Sequence, residues 1–163
     1  MRALFILAFI ANVALIIVSL VILPSKMAIH FGPGGMPDSW ASKEVNALIF
    51  LGINVVLFIC LYLSPLFTEI FPRRLISLPH KDYWLKEENK PELNLKMASL
   101  SHEFGAFLFI FLFFINLLVL RANLSDPVRL NERHFFPLLI VFFLYVIYWA
   151  VKCFLVFRPP KRT

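Results

Sequence analysis

Histidines and carboxylates are the residues of this sequence with the clearest capacity for chemistry. One group comprises His30, Asp38 and Glu44 near the N-terminal end, and Glu132 with His134 much later in the chain. Imidazole and carboxylate groups together can bind a transition metal. No pair among them has the i, i+4 spacing that places two ligands on one helix face. We therefore favour ordinary polar residues over a metal site, and keep His30 and His134 as weak metal candidates.

A second group lies in the middle of the chain and comprises His80, Asp82, His102 and Glu103. Adjacent residues on a helix point about 100° apart, so His102 and Glu103 would not converge on one ion. The sequence contains no GxSxG, HExxH or Walker glycine-loop motif and no CxxC pair. We therefore expect a protein that is not an enzyme and has no cofactor.

The apolar content indicates where the chain resides. Hydrophobic residues make up 60% of the 163 residues, and 19 residues are Phe. A soluble domain of this length could not bury so much apolar surface. The net charge of +6 is concentrated between the apolar runs, without a zinc-finger or RNA-binding signature. We expect a lipid bilayer as partner, and no nucleic acid.

Four apolar runs predict an all-α, polytopic fold with a single four-helix transmembrane domain. The predicted spans are residues 3–23, 45–67, 104–120 and 135–157. The first run exceeds the ~7–15 residues of a signal-peptide core, so we interpret it as a retained helix. Pro65 should kink or end the second span. An amphipathic lead-in from Pro91 should continue without a break into the short third span.

Polar residues inside the spans are few. Asn12, Asn54 and Asn116 could line a polar path, but isolated asparagines more often form hydrogen bonds between helices. No Asp, Glu or Arg lies deep in any predicted span, which disfavours an ion or proton transporter.

Residues 24–44 connect the first two spans and contain most of the candidate site. Connections between helices usually take ~2–8 residues, so this one is unusually long. Its prolines restrict the backbone, and Pro33-Gly34 suits a type II turn, whose second central residue needs a positive φ. We predict a stiff loop whose side chains form a partner-binding surface: His30, Phe31, Pro37, Asp38, Trp40 and Lys43. The commoner role of such a tryptophan is an anchor at the membrane interface.

The longest polar stretch, residues 68–103, is predicted to be a cytoplasmic segment. Tyr83 and Trp84 are amphipathic aromatics of the kind found at the headgroup level. Lys152, near the end of the fourth span, can extend its ammonium to the interface. The predicted interface anchors are Arg73, Arg74, Tyr83, Trp84 and Lys152.

The distribution of basic residues predicts the orientation. Four spans place both termini and the 68–103 segment on one side. That side holds the larger number of positive charges, among them Arg2, Lys161 and Arg162. The connections on the other side hold Lys26, Lys43, Arg121, Arg129 and Arg133. By the positive-inside rule, both termini are cytoplasmic (N-in, C-in) and residues 24–44 face outward.

The first connection resembles a known domain. Pro24, Ile29-His30-Phe31 and the run Gly35-x-Pro37-Asp38-x-Trp40-x-Ser42-Lys43, flanked by two spans, resemble a bacterial membrane domain of unknown function. That domain forms the N-terminal part of SdpI-like proteins, which provide immunity and signalling for a secreted killing factor. Ala28 departs from the proline of many members, and the additional helices of the full immunity proteins are missing. The run from Leu78 to Leu85 resembles short stand-alone members.

The resemblance implies a multi-pass protein of the bacterial inner (plasma) membrane and offers the loop as a recognition surface, but it implies no activity. Our first hypothesis is recognition of a peptide or of another membrane or secreted protein. The alternative is an accessory subunit of a larger membrane complex, with Phe107, Phe111 and Phe114 as its interface. The third hypothesis is a metal-binding membrane protein. The sequence does not indicate an oligomeric state.

Overall fold

The computed structural model describes residues 1–159 of the 163. In chain order the elements are α1 (Arg2–Ile22), β1 (Lys26–Phe31), β2 (Pro37–Ser42), α2 (Lys43–Tyr62), α3 (Phe67–Ile70), α4 (Lys81–Trp84), α5 (Lys90–Asn123) and α6 (Glu132–Val156). Short 3₁₀ turns occupy Pro33–Gly35, Ser64–Leu66 and Arg73–Leu75. Lys161 and Arg162, which contributed to the predicted orientation, lie outside the described residues.

Within residues 1–159, four helices are long and apolar enough to cross a bilayer: α1, α2, α5 and α6. They overlap the four predicted spans, so the prediction of a predominantly helical, multi-pass membrane protein is confirmed. The strands and the α5–α6 connection lie at one end of the bundle, here called the hairpin end. The N-terminus, the α2–α5 connection and the end of α6 lie at the other, called the terminal end.

Residues 24–44 form a β-hairpin and not the irregular loop that the sequence predicted, so the all-α class is corrected. β1 and β2 pair antiparallel, with Lys26 opposite Ser42 and Phe31 opposite Pro37. In β1 the apolar residues Met27, Ile29 and Phe31 occupy every second position, which is the usual sequence signal of a strand, whereas β2 carries little apolar alternation. A two-stranded hairpin by itself is only marginally stable in water, so this one depends on contacts with the rest of the chain.

The bounds of α2 follow local rules. Ser42 caps its start by accepting a hydrogen bond from the Val45 amide at 3.3 Å. The helix ends at Tyr62, ahead of Pro65, and a 3₁₀ turn follows. The predicted span 45–67 therefore extended too far at its C-terminal end, because Pro65 terminates the helix instead of kinking it.

Helix α5 is one continuous helix of 34 residues, as the lead-in predicted. At about 1.5 Å per residue it is roughly 50 Å long, which exceeds the ~30 Å hydrocarbon core of a bilayer. The Ser64 hydroxyl, just beyond the end of α2, donates to Ser101 Oγ at 2.7 Å. The part of α5 before Ser101 therefore extends past α2 at the terminal end.

The core of the bundle lies where α1 packs against α5 and α2. Phe5, Ala8, Ala106 and Phe109 form its buried centre. Gly105 allows this packing, because a Cβ at that position would lie 2.4 Å from a ring carbon of Phe5.

Replacing Gly105 with Ala should therefore destabilise the bundle. Overpacking costs about 1–3 kcal/mol, and the higher helix propensity of Ala returns up to about 1 kcal/mol, so we expect a net loss near 1 kcal/mol. Gly52→Ala is the control, since its Cβ would meet no atom within 4 Å. Unfolding in mixed micelles with increasing SDS, followed by circular dichroism, measures both. Equal midpoints for the two variants would contradict the close contact.

A buried asparagine, Asn12, connects two helices. The Asn12 side-chain amide of α1 donates to the Phe109 carbonyl of α5 at 2.7 Å, which confirms the predicted interhelical role for this residue. Asn54 donates instead to Phe50 of its own helix at 2.8 Å. Among the described residues, Asn54 Oδ1 and Asn116 Nδ2 are buried without a hydrogen-bond partner.

Helix α6 is peripheral. Over Glu132–Val156, all of which the structure describes, no residue is buried. Phe107 stacks on Tyr145 and Phe111 on Phe142, with ring centroids 4.0 and 4.1 Å apart. These two phenylalanines thus pack α6 against α5, and Phe107 remains 40% exposed. Phe114 is 45% exposed.

An ion pair adds to this contact. The Lys152 ammonium donates to both carboxylate oxygens of Glu103, at 2.7 and 2.6 Å. Glu103 is buried. Lys152 therefore does not extend freely to the headgroups as predicted, because a carboxylate on the neighbouring helix is within its reach.

The α2–α5 connection packs onto the ends of α5 and α6. Trp84 is 0% exposed, within a cluster that includes Leu93, Leu100 and Phe157. Its indole N–H donates to the Phe157 carbonyl at 2.7 Å. Trp84 is therefore a core residue, which corrects its assignment as a headgroup anchor, because its single donor finds a partner inside the protein.

The other predicted anchors at this end remain more accessible. Tyr83 is half-buried and packs edge-on against Trp84, with ring centroids 5.0 Å apart. Arg73 and Arg74 are exposed. Arg73 pairs with Asp82 at 2.7 Å, so part of its charge is already neutralised.

Candidate functional site

The tip of the hairpin is shaped by glycines. The Gly35 amide donates to the Gly32 carbonyl at 3.0 Å, and the Gly32 amide donates to Met36 at 2.8 Å. Gly34 has φ 73° and ψ 11°, so the predicted positive φ after Pro33 is confirmed. Gly35 also has a positive φ of 71°. Glycine adopts a positive φ at little energetic cost because it has no Cβ. Other residues would be strained at these two positions.

His30 and Asp38 form a hydrogen-bonded pair across the two strands. His30 Nδ1 lies 2.6 Å from Asp38 Oδ1, with the two side chains 70% and 51% exposed. The strand register shifts on both sides of His30, which lies opposite Ser39. Such an exposed pair contributes only about 0.2–1 kcal/mol to stability. The pair therefore contributes little to the stability of the hairpin, and both side chains are accessible to solvent.

Apolar side chains accompany this pair. Trp40 is 42% exposed, Ile29 41% and Met36 56%. Asp38 and Trp40 are two residues apart on β2, in a stretch where the strand register is irregular. An exposed aromatic beside a polar pair is the composition that interface hot spots favour.

The remaining members of the predicted surface have other surroundings. Phe31 and Pro37 lie opposite each other and are half-buried. The Lys43 ammonium donates to the Leu23 carbonyl at 3.0 Å. Lys43 therefore caps the end of α1 and does not project into solvent as expected, because an unpaired carbonyl at a helix end lies within its reach.

Asn123 holds the hairpin against the bundle. Its Oδ1 accepts from the Ala28 amide at 2.6 Å and its Nδ2 donates to the Ala28 carbonyl at 2.9 Å. Ala28 and Asn123 are both buried. Ala28 directs both backbone groups away from β2, as every second residue of an antiparallel strand does. The Asn123 side chain thus pairs with the edge of β1 as a neighbouring strand would.

The α5–α6 connection holds the tip. The Leu130 amide donates to the Gly35 carbonyl at 2.9 Å, and Arg129 Nε donates to the Gly34 carbonyl at 2.7 Å. A Cβ on Gly35 would lie 2.1 Å from the Leu130 carbonyl oxygen. Residues from the second half of the chain therefore fix the hairpin at two places, along β1 and at the tip.

Sequence reasoning did not identify Asn123, Arg129 or Leu130 as supports of the site. Asn123 carries one local signal, since asparagine is common where helices end. The contacts of Arg129 and Leu130 are made to backbone carbonyls and amides, and sequence spacing contains no signal for them.

The structure separates the weak metal candidates. His30 is engaged by Asp38, and His134 is exposed in the first turn of α6. Within residues 1–159, no three His, Cys, Asp or Glu side chains lie close enough to hold a metal ion. His102 packs against the rings of Phe5 and Tyr62, at 5.4 and 5.8 Å, and so belongs to the helix core.

The fold and this site define a multi-pass membrane protein with a docked β-hairpin between its first two membrane helices. Residues 6–63 match the family model of a domain of unknown function (DUF1648). The match contains the whole hairpin and most of α1 and α2. No curated protein and no solved structure matches the chain.

Proposed function

We propose that the chain is a non-enzymatic protein of the bacterial inner membrane whose hairpin recognises a peptide or protein partner outside the cytoplasm. The observation that carries the proposal is the exposed His30–Asp38 pair beside Trp40 on a hairpin held from both sides. A surface fixed before binding loses little conformational entropy on binding, which favours affinity.

The orientation is part of the proposal. Arg73 and Arg74 are exposed at the terminal end, and most basic residues of the sequence are assigned to that end. The positive-inside rule then places the terminal end in the cytoplasm and the hairpin outside. The resemblance of the hairpin sequence to SdpI-like immunity and signalling proteins supports a secreted peptide as the type of partner.

The partner surface is tested by replacing His30, Asp38 and Trp40 together with Ala. We expect loss of partner capture from native membranes, while insertion and thermal stability stay close to wild type, because the three side chains are exposed. Glu132→Ala/His134→Ala, on α6 at the same end, is the control and should retain capture. Unchanged capture by the triple variant would refute the proposal.

The second candidate function is an accessory subunit of a larger membrane complex. A photo-crosslinking residue distinguishes it from partner recognition by the hairpin. The favouring observation is that α6 has no buried residue over Glu132–Val156, with Phe143 58% exposed. A crosslinker at position 40 should capture the proposed partner. Stoichiometric protein crosslinks from position 143, with none from position 40, would instead favour an accessory subunit packed through α6.

A further inference from the structure

Three adjoining cavities open at the terminal end around the stretch Arg74–Asp82. Their volumes are about 530, 350 and 410 Å³, within the ~300–1,000 Å³ typical of small-molecule sites. Ser77 lines all three. The three cavities therefore adjoin one another at Ser77 and are here called the depression.

Two of the cavities are apolar. The 530 Å³ cavity is lined by Leu78, Trp149 and Phe154, among others. The 350 Å³ cavity is lined by Phe67 and Phe71 together with Met97, which the two cavities share. The 530 Å³ cavity lies beside the last turns of α6, and the 350 Å³ cavity is lined by residues that follow the end of α2, so both are close to the ends of membrane-crossing helices.

The third cavity is basic. It is lined by Arg74, His80, Lys81 and Asp82. The Asp82 carboxylate already pairs with Arg73 at 2.7 Å. Among residues 1–159, no carboxylate lies within salt-bridge distance of Arg74 or Lys81. The cavity therefore offers two uncompensated cations beside a histidine.

The backbone at this cavity is unusual. His80 has φ 54° and ψ 37°, the left-handed conformation, and is the sole non-glycine residue with positive φ in the described chain. Residues with a Cβ adopt this conformation at an energetic cost and are concentrated at functional sites.

We propose that this depression binds one anionic phospholipid, with the phosphate at Arg74, His80 and Lys81 and the acyl chains in the two apolar cavities. Basic pockets beside membrane helices are the usual sites for anionic headgroups. A soluble anion would leave the apolar cavities unused, and an apolar peptide would leave the basic cavity unused. Only a molecule with both parts fits the whole depression. The proposal does not depend on the function of the hairpin.

Trp149 provides a built-in probe, because it lines the 530 Å³ cavity. The full-length protein is reconstituted in phosphatidylcholine vesicles that contain a small fraction of acyl-brominated phosphatidylglycerol, and tryptophan quenching is measured. The same fraction of brominated phosphatidylcholine is the reference, and subtraction of a Trp149→Phe variant isolates the signal. We expect stronger quenching by the anionic lipid.

Arg74→Gln/Lys81→Gln should reduce the relative association constant of the anionic lipid by roughly 30-fold, about fivefold for each residue. Both side chains lie at the surface of the α2–α5 connection. Arg121→Gln/Arg133→Gln makes the same charge change at the hairpin end and should leave the preference intact.

Equal quenching of wild type by the two lipids would overturn the proposal, and so would a preference that survives Arg74→Gln/Lys81→Gln. Counting retained phosphatidylglycerol by native mass spectrometry gives a second readout that does not require the Trp149→Phe variant. Wild type should retain one anionic lipid that the double variant lacks.

Discussion

Lys152→Met should lower the free energy of unfolding by about 3 kcal/mol. The Glu103 carboxylate accepts two hydrogen bonds from Lys152, and its side chain is 11% exposed. Removing the ammonium leaves a buried, uncompensated charge. The Lys152 side chain is 32% exposed, which places the loss at the lower end of the range for buried pairs.

Replacing the other member of the ion pair, Glu103, should lower the free energy of unfolding by a smaller amount. Glu103→Gln leaves the Lys152 ammonium without its partner, but a lysine near a helix end can extend its long side chain to the interface. Glu103 has a shorter side chain and no such escape. The two single substitutions should therefore differ although they break the same pair.

A double-mutant cycle separates the pair from its members. Glu103→Gln/Lys152→Met removes both charges, so we expect most of the stability lost in Lys152→Met to return. SDS unfolding of the four proteins, followed by circular dichroism, measures the coupling. Lys26→Met, at an exposed position of β1, is the control and should stay within about 0.5 kcal/mol of wild type. Additive losses would show that the pair does not hold α6 to α5.

The sequence could predict this fold where local rules decide the structure. Apolar run length located the four long helices, Ser42 was available as a cap, and Pro65 marked the end of α2. The requirement for a positive φ identified Gly34. Each of these features depends on residues close together in the chain.

The features that the sequence missed depend on residues far apart. The second strand of the hairpin lacks strong alternation, and the first strand is stabilised from Asn123, 95 positions after Ala28. Glu103 and Lys152 are 49 positions apart. Trp84 has the composition of a headgroup anchor, and only the fold places the Phe157 carbonyl beside its N–H.

The candidate site was likewise predicted in part. The exposure of His30, Asp38 and Trp40 could be predicted from the sequence, because they lie in a polar connection between two apolar spans. The pairing of His30 with Asp38 depends on irregular strand register, which no spacing rule specifies. The Lys43 ammonium is absent from the exposed surface because it donates to the Leu23 carbonyl at the end of α1. That contact depends on the position of Leu23 in the folded chain.

Asn123→Ala should release the hairpin from the bundle. The variant leaves the buried amide and carbonyl of Ala28 without partners, and each unsatisfied group costs about 1–3 kcal/mol, so we expect a local loss of roughly 2–6 kcal/mol. Hydrogen exchange of the amides in residues 26–42 should accelerate by at least about 30-fold. Asn89→Ala removes a comparable side-chain bond to Tyr83 at the terminal end and should leave the hairpin protected. Unchanged exchange in Asn123→Ala would contradict the docking.

The same variant distinguishes the shape of the hairpin from its surface chemistry. Asn123→Ala retains His30, Asp38 and Trp40 but loosens the strand that carries His30, so partner affinity should fall although no exposed side chain of the hairpin has changed. The triple alanine variant should instead keep the hairpin protected from exchange and lose affinity through missing contacts. If loosening the hairpin left the affinity unchanged, recognition would rest on the side chains alone, and the contacts from Asn123 would serve only the stability of the fold.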